Sequence, residues 1–286
     1  MLLLLYVLML SLLSGGSAKV VRDLESECGQ FFVNGKSPTR FPEPQYRQIC
    51  QTRNNVVYYA TFYDTDNRIP VYTVYIFEVI IFPVNCSRSS WFLTDSLLQL
   101  DDNASPNMQF KEDVKIQGVG KSQALNEDYM KSGYDRGHLA PVYQANSQSC
   151  ADATFTLTNA APPNPTFNQQ PWRKLEGNIA KELSEQCLPK RYTAYIVTGV
   201  VPGASKINGR VNVSSHFWTA FCCLDNNNKC QISKAFIGEN KNIPPKEKTV
   251  KDLETELANL YKVESFELFM KCCNHLSTKM LPIIRI

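Results

Sequence analysis

Stretches that favour strands alternate along the chain with stretches that favour helices, and no single period runs through it. Val56 to Tyr63 and Val71 to Phe82 are dense in Val, Ile, Tyr, Phe and Thr, residues that suit a pleated, half-buried surface, and Asp64-Thr65-Asp66-Asn67 between them is a turn sequence. The same content predicts strands over Thr154 to Thr158, Tyr192 to Val201 and His216 to Cys223. Within Asn168 to Gln186, Trp172, Leu175, Ile179 and Leu183 recur at spacings of three and four, which lays one apolar stripe along a helix. Val250, Leu253, Leu257, Leu260 and Tyr261 predict a second helix over Val250 to Tyr261. Val20 to Asn55 is polar, carries Pro38, Pro42 and Pro44, and reads as an irregular segment tied down by Cys28 and Cys50. Mixed α and β content without a linker predicts one α+β domain over 56–286, preceded by an N-terminal segment 19–55.

The apolar run from Met1 to Leu13, followed by Ser14-Gly15-Gly16-Ser17-Ala18, predicts a secretory signal peptide over 1–18 and a secreted, extracellular mature chain. The run is shorter than the ~20 residues that span a bilayer core, and no later stretch of that length is free of charge or proline, so no membrane span is expected in the mature chain. No Lys or Arg precedes the run, a departure from the usual basic start of such signals. All ten cysteines follow residue 18. Their even number fits an oxidising compartment and as many as five bridges, with adjacent Cys222-Cys223 and Cys272-Cys273 pointing to different partners. Asn85, Asn103 and Asn212 begin glycosylation sequons. A hydrophobic share of 43% supports a sizeable core and rules out disorder as the whole description. A net charge of +3 excludes histone-like polyanion binding while leaving room for a local basic patch.

The stretch that carries chemistry is Tyr134-Asp135-Arg136-Gly137-His138-Leu139-Ala140-Pro141, followed by Leu157-Thr158-Asn159-Ala160-Ala161-Pro162 and by Phe167-Asn168-Gln169-Gln170-Pro171-Trp172-Arg173-Lys174-Leu175-Glu176. Asn159 and Asn168 lie 21 and 30 residues past His138, and Glu176 lies eight after the second Asn. In type and spacing these positions resemble the DNA/RNA non-specific endonuclease family of the ββα-metal fold, over roughly Val56 to Phe269. The resemblance implies a mixed sheet flanked by helices, a divalent cation such as Mg²⁺ or Mn²⁺, and DNA or RNA gripped through its phosphates without sequence specificity. It also implies Asn168 as the direct metal ligand, Asn159 as a supporting residue near metal and His, and products bearing 5′ phosphates.

The residues support the same chemistry on their own terms. Phosphodiester hydrolysis needs an activated water, neutralised phosphoryl charge and a protonated leaving oxygen. His138, with an imidazole that titrates near ~6.5 when unperturbed, suits the role of base, and the rate is expected to fall on the acidic side of a pH 5–8 profile. The Asn168 amide oxygen is a hard ligand for Mg²⁺, although the same residue would also serve as a helix N-cap. On an ideal helix Glu176 lies about 12 Å further along and about 80° around, suited to holding metal-bound waters. Arg136 offers a planar fork to phosphate, Asp135 reads as a structural residue that aims His138, and Gly137 allows a close backbone approach. His216 and His275 read as structural. Two positions depart from the family pattern: Pro163 follows Pro162 where Gln is usual, and Ala180 stands where some members carry Arg. A rival reading follows from them, an extracellular protein that binds nucleic acid or a receptor on the nuclease scaffold without useful turnover.

Overall fold

Asn54 and Asn55 both adopt left-handed backbone, with φ of 51° and 61°. This is the pairing a tight hairpin turn needs, and it folds Tyr46–Arg53 (β2) back on Val56–Asp64 (β3). The computed structural model describes residues 19–78, 92–94, 108–110 and 120–274. Lys19–Val21 (β1) flanks β2, the short helix Leu24–Cys28 (α1) follows, and Ile69–Phe77 (β4) flanks β3. Phe92–Thr94 (β5) and Met108–Phe110 (β6) pair as a separate hairpin. Then come helix Asn126–Tyr129 (α2), strand Gly137–His138 (β7), helix Gln148–Thr154 (α3) and strand Ala160–Ala161 (β8). A long helix over 165–187 (α4) leads to Thr193–Val201 (β9) and to the small ribbon of Lys206–Ile207 (β10) and Val211–Asn212 (β11). His216–Leu224 (β12), Cys230–Glu239 (β13), Lys246–Lys248 (β14) and helix Val250–Tyr261 (α5) complete the order.

The eight-stranded sheet runs β1-β2-β3-β4-β9-β12-β13-β14, and every neighbouring pair in it is antiparallel. The α+β class stands, but the sheet expected to be mixed is antiparallel. Successive hairpins reverse the chain on both sides, and the excursion after β4 returns to the end where β4 stopped, so that Phe77 pairs with Ala194. Because side chains alternate across a strand, β12 supplies two cores. Phe217 and Phe221 pack with Leu175, Ile179 and Leu183 of α4 on one face. Trp218, Ala220 and Leu224 pack with Val250, Leu253 and Leu257 of α5 on the other. Gly199 sits opposite Trp218 in register, and a Cβ there would overlap the indole and the Val71 carbonyl.

The same alternation sends adjacent cysteines to opposite faces. Cys223 bridges to Cys187 at the end of α4, whereas Cys222 and Cys230 both meet Cys273. The three sulfurs of Cys222, Cys230 and Cys273 lie within 4.8 Å of one another, and a sulfur can join only one bridge at a time. Cys28–Cys50 staples α1 to β2. Among the described residues, Cys150 and Cys272 are unbridged.

Three expectations change. Val20 to Asn55 is not irregular throughout: β1 and α1 lie in its first part, and β2 is an inner strand of the sheet whose buried polar residues, Gln51 and Thr52, disguise it. Thr154 to Thr158 is not a strand but the end of α3, capped at its start by Ser147, followed by a 3₁₀ turn at Leu157–Asn159. The Asn212 sequon is closed to modification, since Asn212 is 4% exposed and both ends of its amide bond Gly203, at 2.8 and 2.9 Å. The segment 1–18, Cys86, Asn85, Asn103 and His275 lie outside the described residues.

Candidate active site

The site is built on the short ladder of β7 and β8, where Gly137 pairs with Ala161 and His138 with Ala160. Gly137 has no substitute here: a Cβ would come within 2.7 and 2.9 Å of the Pro163 ring. Pro163, the departure from the family pattern, is thus fitted against the strand that carries His138, and its carbonyl accepts from Asp135 N at 3.1 Å.

Asn159 is fully buried and spends its amide on the backbone next to His138. Its Oδ1 accepts from Ala140 N at 2.9 Å, and its Nδ2 donates to Ala140 O at 3.1 Å and Thr154 O at 2.9 Å. Beneath it a row of buried polar side chains crosses the sheet. Gln51 donates to Thr61 at 3.1 Å and Thr158 at 2.8 Å, the Thr61 and Thr73 hydroxyls meet at 3.2 Å, and Thr73 donates to Asn159 Oδ1 at 3.4 Å. A satisfied buried network of this kind holds one geometry. Asn159 acts as a positioning residue for the His138 strand.

His138 packs edge-on against Phe155, with ring centroids 4.8 Å apart. Burial, and secondarily the Arg136 charge, pull its imidazole down to about 3. It is therefore neutral, able to accept a proton, across the whole range in which an unperturbed histidine would titrate. The acid limb expected between pH 5 and 8 belongs to an exposed imidazole, not to this one.

The start of α4 is pinned by Asn164, whose Oδ1 caps Thr166 N and Phe167 N, and by Asn240, which accepts from Asn164 N at 2.6 Å and donates to Pro162 O at 3.1 Å. Asn164 takes the N-cap role, so Asn168 lies inside the helix. From Asn168 to Trp172 the helix is a wide π turn with Pro171 inside it. Proline lacks the N–H that an α turn would use, and π turns concentrate at functional sites. A turn with more residues than the α-helix's 3.6 advances less per residue, which draws Glu176 round toward the face of Asn168.

Asn168 Nδ2 donates to Asp135 Oδ2 at 3.0 Å, as does Gln169 Nε2, also at 3.0 Å. That bond settles the amide's orientation and makes Oδ1 its ligand-capable atom. Glu176 sits in Arg173–Glu182, the α-helical stretch of α4. Burial pushes its carboxyl up to about 8, against the opposing pull of the Trp172 indole and the Arg173 charge. Gln144 locks this turn of helix to the sheet, donating to Glu176 O at 3.1 Å and accepting from Tyr75 OH at 2.9 Å. Arg136 is half-buried, which lowers its pKa without neutralising it, and donates to Asn126 Oδ1 at 2.8 Å.

Two adjoining cavities result. One of about 720 Å³ is lined by His138, Tyr143, Asn168, Arg173, Lys174 and Glu176. One of about 400 Å³ shares His138 and Asn168 and adds Asn126, Tyr129 and Arg136. Four of the five residues singled out in the sequence thus face connected space, and Asn159 stands behind it. Ala180 is buried in the core between α4 and the sheet, and His216 bonds Ser215 at 3.0 Å. The reading of the sequence missed Asp135 as the partner of Asn168, though its place in the motif was a signal, and missed Asn126 as the partner of Arg136, for which there was none. An amide oxygen and a carboxyl facing one roomy cavity are a donor set that fits a hydrated Mg²⁺ or Mn²⁺.

Known proteins resemble this chain in sequence and in fold. The profile of the DNA/RNA non-specific endonuclease family matches residues 37–276. The human Endonuclease domain-containing 1 protein is 32% identical over 204 residues, which cover 69% of this chain and 39% of that protein. Nuclease C1 of Cunninghamella echinulata var. echinulata is 29% identical over 194 residues, covering 62% of this chain and 72% of the relative. This chain therefore spans about two fifths of the length of the first relative and most of the second. A chain in the crystal structure of the EndoG/EndoGI complex shares the fold, with a TM-score of 0.51 at 20% identity over 82% of this chain and 90% of the other.

Proposed function

Since the chain belongs to the DNA/RNA non-specific endonuclease family, we propose that it is a secreted, metal-dependent nuclease that hydrolyses phosphodiester bonds in DNA or RNA without reading sequence. The observation that carries the reading is the convergence of His138 and Asn168, 30 residues apart, on the walls of both cavities. Asn168 Oδ1 would hold a divalent cation such as Mg²⁺ or Mn²⁺, with Glu176 beside it. When bound, that ion neutralises charge on the phosphoryl and leaving oxygens.

The chain's own residues do the rest. His138, neutral throughout the physiological range, takes the proton of the attacking water. Asp135 keeps Asn168 from rotating its amide, and Asn159 fixes the backbone that aims His138. Arg136 faces the narrower cavity and offers charge-assisted hydrogen bonds to a phosphate. Contacts of this kind go to the backbone of the substrate, which carries no sequence information directly. Cleavage should therefore be unselective and should weaken with added salt. Disulfides between described elements and the apolar leader support secretion. No described helix is long and apolar enough to cross a membrane.

The test is nicking of plasmid by the purified chain with Mg²⁺, with and without chelator. His138→Ala should lose activity by about 10²- to 10⁴-fold while keeping the wild-type circular-dichroism spectrum. Equal nicking by that variant removes the base assignment. Binding of plasmid with no turnover in the wild type would favour the scaffold-only reading instead.

A further inference from the structure

Two large apolar side chains stand in solvent at the rims of the cavities that share His138. Tyr143, 61% exposed, lines the wider one, and Met130, 63% exposed, lines the narrower. Tyr143 is not loose. It is the middle residue of the 3₁₀ turn Val142–Gln144, whose last residue is buried and bonded to both Tyr75 and the Glu176 carbonyl. The turn is anchored from below, and the phenol ring is presented outward into a space that also holds Arg173 and Lys174.

Burying such a ring would have favoured folding, so its place beside the charged groups of the site points to an occupant with an apolar face and a negative backbone. A nucleic acid strand has both. In a continuous duplex the bases are stacked within, and the phosphates and sugars meet the protein; an unpaired base, in contrast, has a π-face to lay on an aromatic ring. We propose that Tyr143 is a stacking platform for an unpaired nucleobase next to the scissile phosphate, so that the site takes single-stranded DNA or RNA in preference to continuous duplex. Met130 closes the opposite rim as an apolar wall for the nucleotide on the other side of His138. The inference rests on the nuclease reading and adds the form of the substrate to it.

Fluorescence anisotropy of the full chain in chelator, where cleavage is stopped, separates the two ideas. A labelled 15-nucleotide single strand and its 15-base-pair duplex are the probes. Tyr143→Ala should weaken single-strand binding about tenfold and duplex binding by less than about twofold, and Tyr143→Trp should restore the wild-type preference. Quenching of 2-aminopurine placed in the single strand should vanish in the Ala variant and persist in the Trp variant. With Mg²⁺ present, the loss should fall on KM rather than kcat. Equal weakening of both probes, no weakening, or no rescue by Trp overturns the proposal, as does binding of neither probe by the wild type. Tight, Tyr143-dependent binding without any cleavage would overturn the nuclease reading and leave the stacking platform standing.

Discussion

Each face of the sheet carries a glutamate withdrawn from water, Glu254 buried and Glu176 half-buried beside a cavity, and the two are treated in opposite ways. Glu254 of α5 is 6% exposed and is met by donors on both oxygens, Leu268 N at 2.7 Å and Asn274 Nδ2 at 2.9 Å. Burial raises its pKa, and those two bonds pull against the rise. Glu176 of α4 has no backbone donor on its carboxylate among the described residues; burial dominates and carries it to about 8. One carboxylate is consumed in holding the chain after residue 262 against α5. The other is kept under-solvated beside a cavity. A buried acid whose two oxygens are held by donors of its own fold belongs to stability, whereas one that faces a cavity with its proton affinity raised is suited to a ligand.

This contrast can be tested from its largest consequence downward. Glu176→Gln should lower the nicking rate by up to about 100-fold, the upper end for groups that orient metal-bound ligands, and leave the fold intact. Glu254→Ala should leave the rate within about twofold, and comparable losses for both would erase the distinction. Asp135→Asn should weaken the apparent affinity for Mg²⁺ about tenfold, seen as a rise in the cation concentration for half-maximal rate, because it frees the Asn168 amide to rotate. Glu254→Ala should in turn cost about 1–3 kcal/mol in urea unfolding, the penalty of leaving buried donors unmet.

The smallest effect is a tilt in stability with pH. Glu176 titrates near 4.5 when unfolded and about 8 when folded. Its contribution is complete below about pH 4.5 and is lost as the pH rises through 8. His138 goes from 6.5 unfolded to about 3 folded, so its contribution is complete above 6.5 and is lost as the pH falls toward 3. Between 6.5 and 8 only the Glu176 slope remains. In chelator the melting temperature should decline across that window in the wild type and stay level in Glu176→Gln; a level wild type would contradict the burial argument. Activity should show no His138 limb between pH 5 and 8.

The apolar stripes of α4 and α5 were legible because spacing of three and four survives any tertiary context, and β3, β9 and β12 because β-branched and aromatic residues dominate them. The strand β13 was not, since it begins Cys230-Gln231-Ile232-Ser233-Lys234, a polar run that its position beside β12 turns into sheet. Thr154 to Thr158 misled for the converse reason. Its threonines have strand propensity, yet the Thr156 and Thr158 hydroxyls meet at 3.3 Å in the polar row beneath Asn159. His138, Asn168 and Glu176 could be singled out from type and spacing, whereas the shifted proton affinities of His138 and Glu176 depend on packing that no spacing reports. Pro171, inside a helical pattern, was the visible sign of the wide turn.

That wide turn makes the site depend on a count as well as on identities. Excising one residue between Trp172 and Glu176, beyond the turn, would leave His138, Asn168 and Glu176 in the chain and the turn wide, yet swing Glu176 by about 100° around the helix. Substitution scanning is blind to such a dependence, and drift by insertion or deletion in this helix would disarm the protein more readily than drift in most of its letters.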